Sequence, residues 1–250
     1  MGILNVTPDS FADGGKHDTF EKAVARGLEM ISEGVDIIDI GGESTRPGAE
    51  RVSAAEEQNR VISVIEKLSQ TGIPISIDTM RAETAELAVT AGASIVNDVS
   101  GGLADDLMHE GVAEMGCPYI LMHWRGHSKE MNNKAVYGDV VKEVIAELNT
   151  QIDAALRSGI ARNNLIIDPG LGFAKDAAQN WEILNRIEEI TDLGFPVLIG
   201  GSRKRFLGGD TPDEREAATI ALTKSLLAKD IWGVRVHSVS PHKNLVLANG

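Results

Sequence analysis

The chain has 250 residues and carries 24 Lys and Arg against 37 Asp and Glu, a formal charge of −13. That acidity argues against nucleic acid as a partner, because neutralising a phosphate backbone needs a basic face, and a single cysteine, Cys117, excludes an internal disulfide framework. No apolar run reaches the roughly 20 residues that a bilayer-spanning helix needs, and no basic segment precedes a signal-type apolar core, so no membrane partner and a cytoplasmic setting are expected.

A length of 250 residues suits one α/β barrel, which typically takes about 250 residues, so residues 1–250 are expected to form one domain. In chain order, apolar runs at Gly2–Val6, Val35–Ile40, Ile73–Asp78, Ser94–Asn97, Pro118–Met122, Leu165–Asp168, Pro196–Gly200 and Gly233–His237 read as strands. Helical periodicity fills the gaps at Thr19–Glu33, Ala54–Gln70, Ala82–Ala91, Asp105–Met115, Asp139–Ser158, Asp176–Asp192 and Asp213–Lys229. Several of these helices open on Asp or Thr, the side chains that cap free N–H groups. Ser240–Asn249 is left for a short last helix.

Continuous apolar strands joined by helices are parallel strands covered on their outer side. Eight of them close a barrel. An open doubly wound sheet would alternate in the same way, but it gives no reason for a polar residue at the end of nearly every strand. A single (β/α)8 barrel brings those ends to one mouth, where such folds bind their ligands. The two longest strand-end segments, Thr7–Asp18 and Gly41–Ser53, are rich in Gly, Pro, Ser and charge, as binding loops are.

Asn5, Asp78, Asn97 and Asp168 all stand at or beside strand ends. Carboxylate acceptors beside an amide that both donates and accepts suit the edge of a heterocycle with an amino group and ring N–H donors. Any one of them could instead cap the next helix; for all four together the cap explanation is weak. Lys204, Arg235 and His237 make a local positive site in an acidic chain, with Arg235 and His237 turned to one side by strand alternation. Phosphate is commonly held in barrels after the last two strands. Arg203 and Arg205 read as solvated surface charges, His123 as a core or supporting histidine, and Cys117 as a buried, inert thiol. Met122 and Phe173 could stack on a planar ligand or simply pack in the core. There is no GxGxxG after a strand, no CxxC pair and no HExxH, so dinucleotide, zinc and iron–sulfur chemistry have no support.

Seven motifs in fixed order carry a resemblance: residues 1–11 (MGILNVTPDSF), 41–48 (GGESTRPG), Ile77-Asp78-Thr79, Asn97-Asp98-Val99, 168–173 (DPGLGF), Ser202-Arg203-Lys204 and Arg235-Val236-His237. Together they resemble the dihydropteroate synthase family along essentially the whole chain, with 121–125 and 204–208 most like its actinobacterial members. The resemblance implies a TIM barrel that joins 6-hydroxymethyl-7,8-dihydropterin diphosphate to 4-aminobenzoate, with Mg²⁺ as cofactor and a homodimer as the assembly. It implies that Asp78, Asn97, Asp168 and Lys204 hold the pterin, with Met122, Gly200 and Phe173 lining its pocket. Arg235, His237 and Asn5 would take the diphosphate, Asn5 also ligating the metal. Phe11, Asp13, Thr45, Arg46 and Pro47 would surround the aminobenzoate, with Ser202 near its carboxylate.

The catalytic set implied is Lys204, Asp78, Asp168, Arg235 and His237, acting in an ionisation-first displacement that sulfonamides inhibit. The family usually has Asp where this chain has Ser238, and a fuller first segment and last helix. Two rivals stand beside this reading: a pterin-binding barrel of the methyltetrahydrofolate-methyltransferase kind, and a silent paralogue that only binds.

Overall fold

A computed structural model of the chain describes residues 1–7, 16–43, 51–127 and 131–249. Its strands and helices alternate: β1 (Gly2–Asn5), α1 (Lys16–Ser32), β2 (Ile38–Gly41), α2 (Ala54–Ser69), β3 (Ile75–Asp78), α3 (Ala82–Thr90), β4 (Ile95–Asp98) and α4 (Met108–Met115). The second half continues with β5 (Tyr119–Met122), α5 (Val140–Arg157), β6 (Leu165–Asp168), α6 (Ala177–Asn185), α7 (Glu188–Thr191), β7 (Leu198–Ile199), α8 (Glu216–Leu226), β8 (Gly233–Val234) and α9 (Ser240–Asn249).

Strands β1 to β6 pair in parallel and in chain order, and β7 pairs in parallel with β8. Two parallel bridges, Ile167 with Val197 and Gly2 with Val236, join that pair to both edges of the six-stranded sheet. Across them Ile167 N–H donates to the Pro196 carbonyl at 2.9 Å and Ile3 N–H to the Val236 carbonyl at 2.8 Å. The ring of eight is therefore closed, and the expected (β/α)8 barrel is the fold.

The barrel follows from strands that are buried on both faces. Every residue of β2 to β6 is buried, and side chains alternate between the helical layer and the interior. Ile38, Ile40, Ile75, Ile77, Val96 and Leu121 point outward into the main core with the helices. Ile95, Ile120, Ile166 and Leu198 meet in the interior and fill the floor. The inward positions nearer the carboxyl ends are then polar: Asp39, Ser76, Asp78, Asn97 and Asp168.

Helix caps agree with the sequence where a side chain is there to cap. Ser53 accepts from Glu56 N–H ahead of α2, Asp139 from Lys142 N–H ahead of α5, and Asp176 forms a capping box with Gln179 on α6. The one helix expected over Asp176–Asp192 is two, because Arg186 leaves helical geometry at φ −118°, ψ 28°. The offset lets Ile183, Ile187 and Ile190 all reach the core. The helix expected from Asp213 starts at Glu216.

Candidate active site

Three groups of side chains meet at the carboxyl ends of the strands. The first is built on Arg235, just beyond β8. Its Nη2 donates to Asp78 Oδ2 at 2.7 Å and its Nε to Asp39 Oδ2 at 2.6 Å. Asn97 donates its Nδ2 to the same Asp39 oxygen at 3.1 Å. Burial pushes the Asp78 carboxyl up to about 7 against the attraction of Arg235, with Asp39 adding to the rise. Burial disfavours the charge on Arg235, but Asp39 and Asp78 hold its guanidinium firmly protonated. Asp39 is fully buried and its Oδ1 has no partner among the described residues. It was not foreseen as a site residue, yet a lone acid at an inward position of an apolar strand, Ile37-Ile38-Asp39-Ile40, was the available signal.

The second group is the end of β6 and the turn that follows. Asp168 is buried, and its Oδ1 accepts from Gly170 N–H at 2.7 Å. Burial raises its carboxyl above the ordinary range, opposed first by Lys204. Enclosure at this mouth lowers the Lys204 ammonium to about 8, opposed by Asp168. Lys204 also donates to the Leu171 carbonyl, and its Nζ lies 4.6 Å from the centre of the Phe173 ring. A Cβ on Gly200 would sit 3.3 Å from Asp168 Oδ2 and 3.8 Å from Lys204 Nζ, so the bare backbone of Gly200 borders both charges. Met122 and Phe173 pack with Met80, Val99 and Trp124 as one apolar wall at the mouth.

Gly170 shows why the turn reads as it does. Its φ is +68°, and a Cβ there would stand 2.3 Å from the His123 carbonyl oxygen. Gly170→Ala is expected to destabilise the fold by about 3 kcal/mol, adding left-handed strain to a backbone clash. A melting temperature equal to that of the parent chain would show that the turn relaxes instead.

The third group lies between β7 and β8. Ser202 Oγ stands 2.9 Å from His237 Nδ1 and accepts the His237 backbone N–H at 3.2 Å. Arg203 departs from expectation. It is not a solvated charge: its Nε donates to Glu216 Oε2 at 2.7 Å, its Nη2 to Ser238 Oγ at 2.8 Å, and its backbone N–H to Thr219 Oγ1 at 3.0 Å. The neutral Ser238 thus accepts from Arg203. Arg205 is exposed, as expected.

Asn5 ends β1, in register with Gly41 of β2. Phe11, Asp13, Thr45, Arg46 and Pro47 lie outside the described residues. Cys117 is half-buried rather than buried, and burial raises its thiol above the ordinary value, in keeping with an unreactive thiol. His123 is a supporting histidine as expected, with its imidazole between Glu147 and Lys175. Lys175 was not foreseen, since it binds carbonyls of the turn before it and a histidine 52 residues away rather than lying in a motif.

Comparison with known proteins agrees with this geometry. A family model described as pterin binding enzyme matches residues 1–237. The dihydropteroate synthase of Mycobacterium leprae is 47% identical over 249 residues, which cover 96% of this chain and 88% of the relative. The solved dihydropteroate synthase of Xanthomonas albilineans with 4-aminobenzoic acid superposes with a TM-score of 0.93 at 43% identity, covering 99% of this chain and 90% of that one. The Yersinia pestis dihydropteroate synthase in a sulfonamide drug complex gives a TM-score of 0.93 at 37% identity, covering 100% and 92%.

Proposed function

The chain belongs to the dihydropteroate synthases of the pterin-binding enzyme family, and we propose that its barrel mouth condenses 6-hydroxymethyl-7,8-dihydropterin diphosphate with 4-aminobenzoate to give 7,8-dihydropteroate and diphosphate. The observation that carries this reading is the division of the mouth into two chemistries. Buried Asp168 and Asn97, with Asp78, present acceptors and an amide to a pterin edge beside the apolar wall of Met122 and Phe173. Arg235 and the Ser202–His237 pair present cationic and donor groups on the adjoining side, while Lys204 stands over the Phe173 ring.

In the displacement the C–O bond to the pterin methylene breaks and its electron pair leaves with diphosphate. Arg235 is placed to bind that leaving charge, since neither acid takes its Nη1 hydrogens. The cationic methylene left behind gains electrostatic stabilisation from Asp78 and Asp168. The arylamine, neutral near pH 7, then forms the C–N bond and releases its proton, so no strong general base is required.

Among the described residues, no cluster of three or more His, Cys, Asp or Glu could hold a metal ion. A single amide oxygen from Asn5 fits Mg²⁺ carried mainly by diphosphate oxygens and water, which is how this ion prefers to be bound. When bound there, Mg²⁺ would help neutralise the charge of the leaving diphosphate.

A methyltransferase-type pterin barrel has no need of Ser202-Arg203-Lys204 or of the Arg235 and His237 pair, which favours the synthase. We further propose a homodimer, with the exposed Val246 and Leu247 of α9 among the apolar surface it would cover, and a cytoplasmic setting. No helix among the described residues is long and apolar enough to cross a membrane. Sulfonamides are expected to compete with 4-aminobenzoate.

The test is diphosphate release by the purified chain. Turnover should require the pterin diphosphate, 4-aminobenzoate and Mg²⁺ together, and sulfonamide should suppress it. Binding is proposed to be ordered, with diphosphate in place before aminobenzoate arrives; aminobenzoate that bound equally well with neither pterin diphosphate nor free diphosphate would exclude this.

A further inference from the structure

Behind the pterin wall a buried lysine holds the turn that Lys204 also binds. Lys175 is 8% exposed. Its Nζ donates to the Gly170 carbonyl at 3.0 Å and the Phe173 carbonyl at 2.9 Å, and lies 2.9 Å from His123 Nδ1. Ala174 adopts φ +47°, which folds the chain back beneath the turn. Lys204 takes the Leu171 carbonyl, so two lysines bind three carbonyls of a four-residue span. Asn180 completes the frame: its Oδ1 accepts from Gly172 N–H at 2.6 Å, and its Nδ2 donates to the Lys175 carbonyl at 3.2 Å.

An ammonium has three hydrogens and no lone pair. Lys175 faces three acceptors, so the geometry fits the charged form, although burial pulls this lysine down to about 7 against the attraction of Asp168. His123 Nδ1 must then be the unprotonated acceptor, and its Nε2–H donates to Glu147 Oε2 at 3.0 Å. Burial, followed by the charge of Lys175, lowers His123 to about 4, which keeps the ring neutral. The outer end of the chain is fixed by Arg125, whose Nη2 binds Glu143 at 2.9 Å and Glu147 at 2.5 Å. His123 N–H also donates to the Asp168 carbonyl at 2.8 Å, which ties the end of β5 to that of β6.

We propose that Lys175, with neutral His123 as its acceptor, is a positioning residue for pterin binding that sets the turn aiming the Asp168 carboxylate and the Phe173 ring. The proposal rests on the reading of this mouth as a pterin site. A hydrogen-bonded chain from α5 through the ends of β5 and β6 thereby determines the geometry of two groups that touch the ligand. No part of it needs to touch the ligand itself.

Lys175→Met keeps the length of the side chain and removes all three donors. In the full chain, calorimetry with 6-hydroxymethylpterin should show the dissociation constant raised by about tenfold or more, as a small misplacement of binding groups produces. The KM for 4-aminobenzoate at saturating pterin diphosphate should stay as in the parent chain. A merely structural role would lower the melting temperature and the folded fraction and leave the pterin affinity of the folded fraction unchanged, and that result would overturn the proposal. Nitrogen-15 spectra of His123 in the unaltered chain give a second test that does not depend on the variant folding. A proton on Nε2 alone, with an Nδ1 resonance that moves when pterin is added, supports the proposal; a proton on Nδ1 overturns it. If the unaltered chain bound no pterin, both the proposal and the functional reading beneath it would fall.

Discussion

Lys204→Ala is expected to lower kcat/KM for the pterin diphosphate by about 10³-fold. Lys204 is the first counter-charge to a buried Asp168. Removing one preorganised charge from such a site costs about 2.7–4 kcal/mol, and it leaves the buried Asp168 without that attraction; each 1.36 kcal/mol is about tenfold in rate. Asp168 would relieve that cost by keeping a proton, and a neutral carboxyl is a poorer acceptor for ring N–H groups. The same argument gives a pH signature. With Lys204 lowered to about 8, kcat/KM of the unaltered chain should fall along an alkaline limb near that value, and Lys204→Arg should move the limb upward. Unfolding does not account for such a limb. A lysine whose pKa is lowered by folding leaves the unfolded state holding more protons between about 8 and the ordinary 10.5, so its contribution to stability rises with pH there. A fall of less than tenfold in Lys204→Ala, or a limb unmoved in Lys204→Arg, would remove Lys204 from the catalytic set.

Arg235→Met should have the largest effect on the fold itself. Two buried carboxylates, Asp39 and Asp78, accept from one guanidinium, and its loss leaves both without a bonded cation. A destabilisation of about 3–5 kcal/mol is expected, equivalent to roughly 6–20 °C in melting temperature for a chain of this size. Diphosphate binding should be lost with it. The deficit has a direction in pH. Asp78 is raised from 3.8 to about 7 on folding, so between those values the folded state holds a proton that the unfolded state has released. Stability from this group is therefore greatest below 3.8 and declines as pH rises towards about 7. Without Arg235 the Asp78 carboxyl rises further and the decline continues to higher pH, so the gap in melting temperature between variant and parent should be wider at pH 8 than at pH 5. An equal gap at both pH values would mean that the two carboxylates do not carry the loss.

Much of the site was legible because strand ends are a local property. Asp78 and Asp168 each close an apolar run, so counting strands and following alternation put them at one mouth before any contact was known. Lys204, Arg235 and His237 were legible as cations after the last two strands. Asp39 and Lys175 were not. An acid in the middle of a strand is read by its partner, and its partner Arg235 lies 196 residues away. Lys175 looks like an ordinary surface lysine ahead of a helix until the turn folds back over it and His123, 52 residues earlier, comes alongside. Arg203 misleads for the same reason: Ser202-Arg203-Lys204-Arg205 reads as a solvated run, and only the docking of α8 supplies Glu216 and Thr219.

The sequence by itself determined the strand count, the alternation and the residue types at the mouth, since these depend on neighbours two to four positions apart. Tertiary structure alone decided that β7 and β8, two residues each, close the ring through single bridges. It alone decided that Arg235 gives its Nε to Asp39 and its Nη2 to Asp78. Charge pairing and hydrogen bonding act over a few ångströms, and no local pattern specifies that distance for groups 157 residues apart.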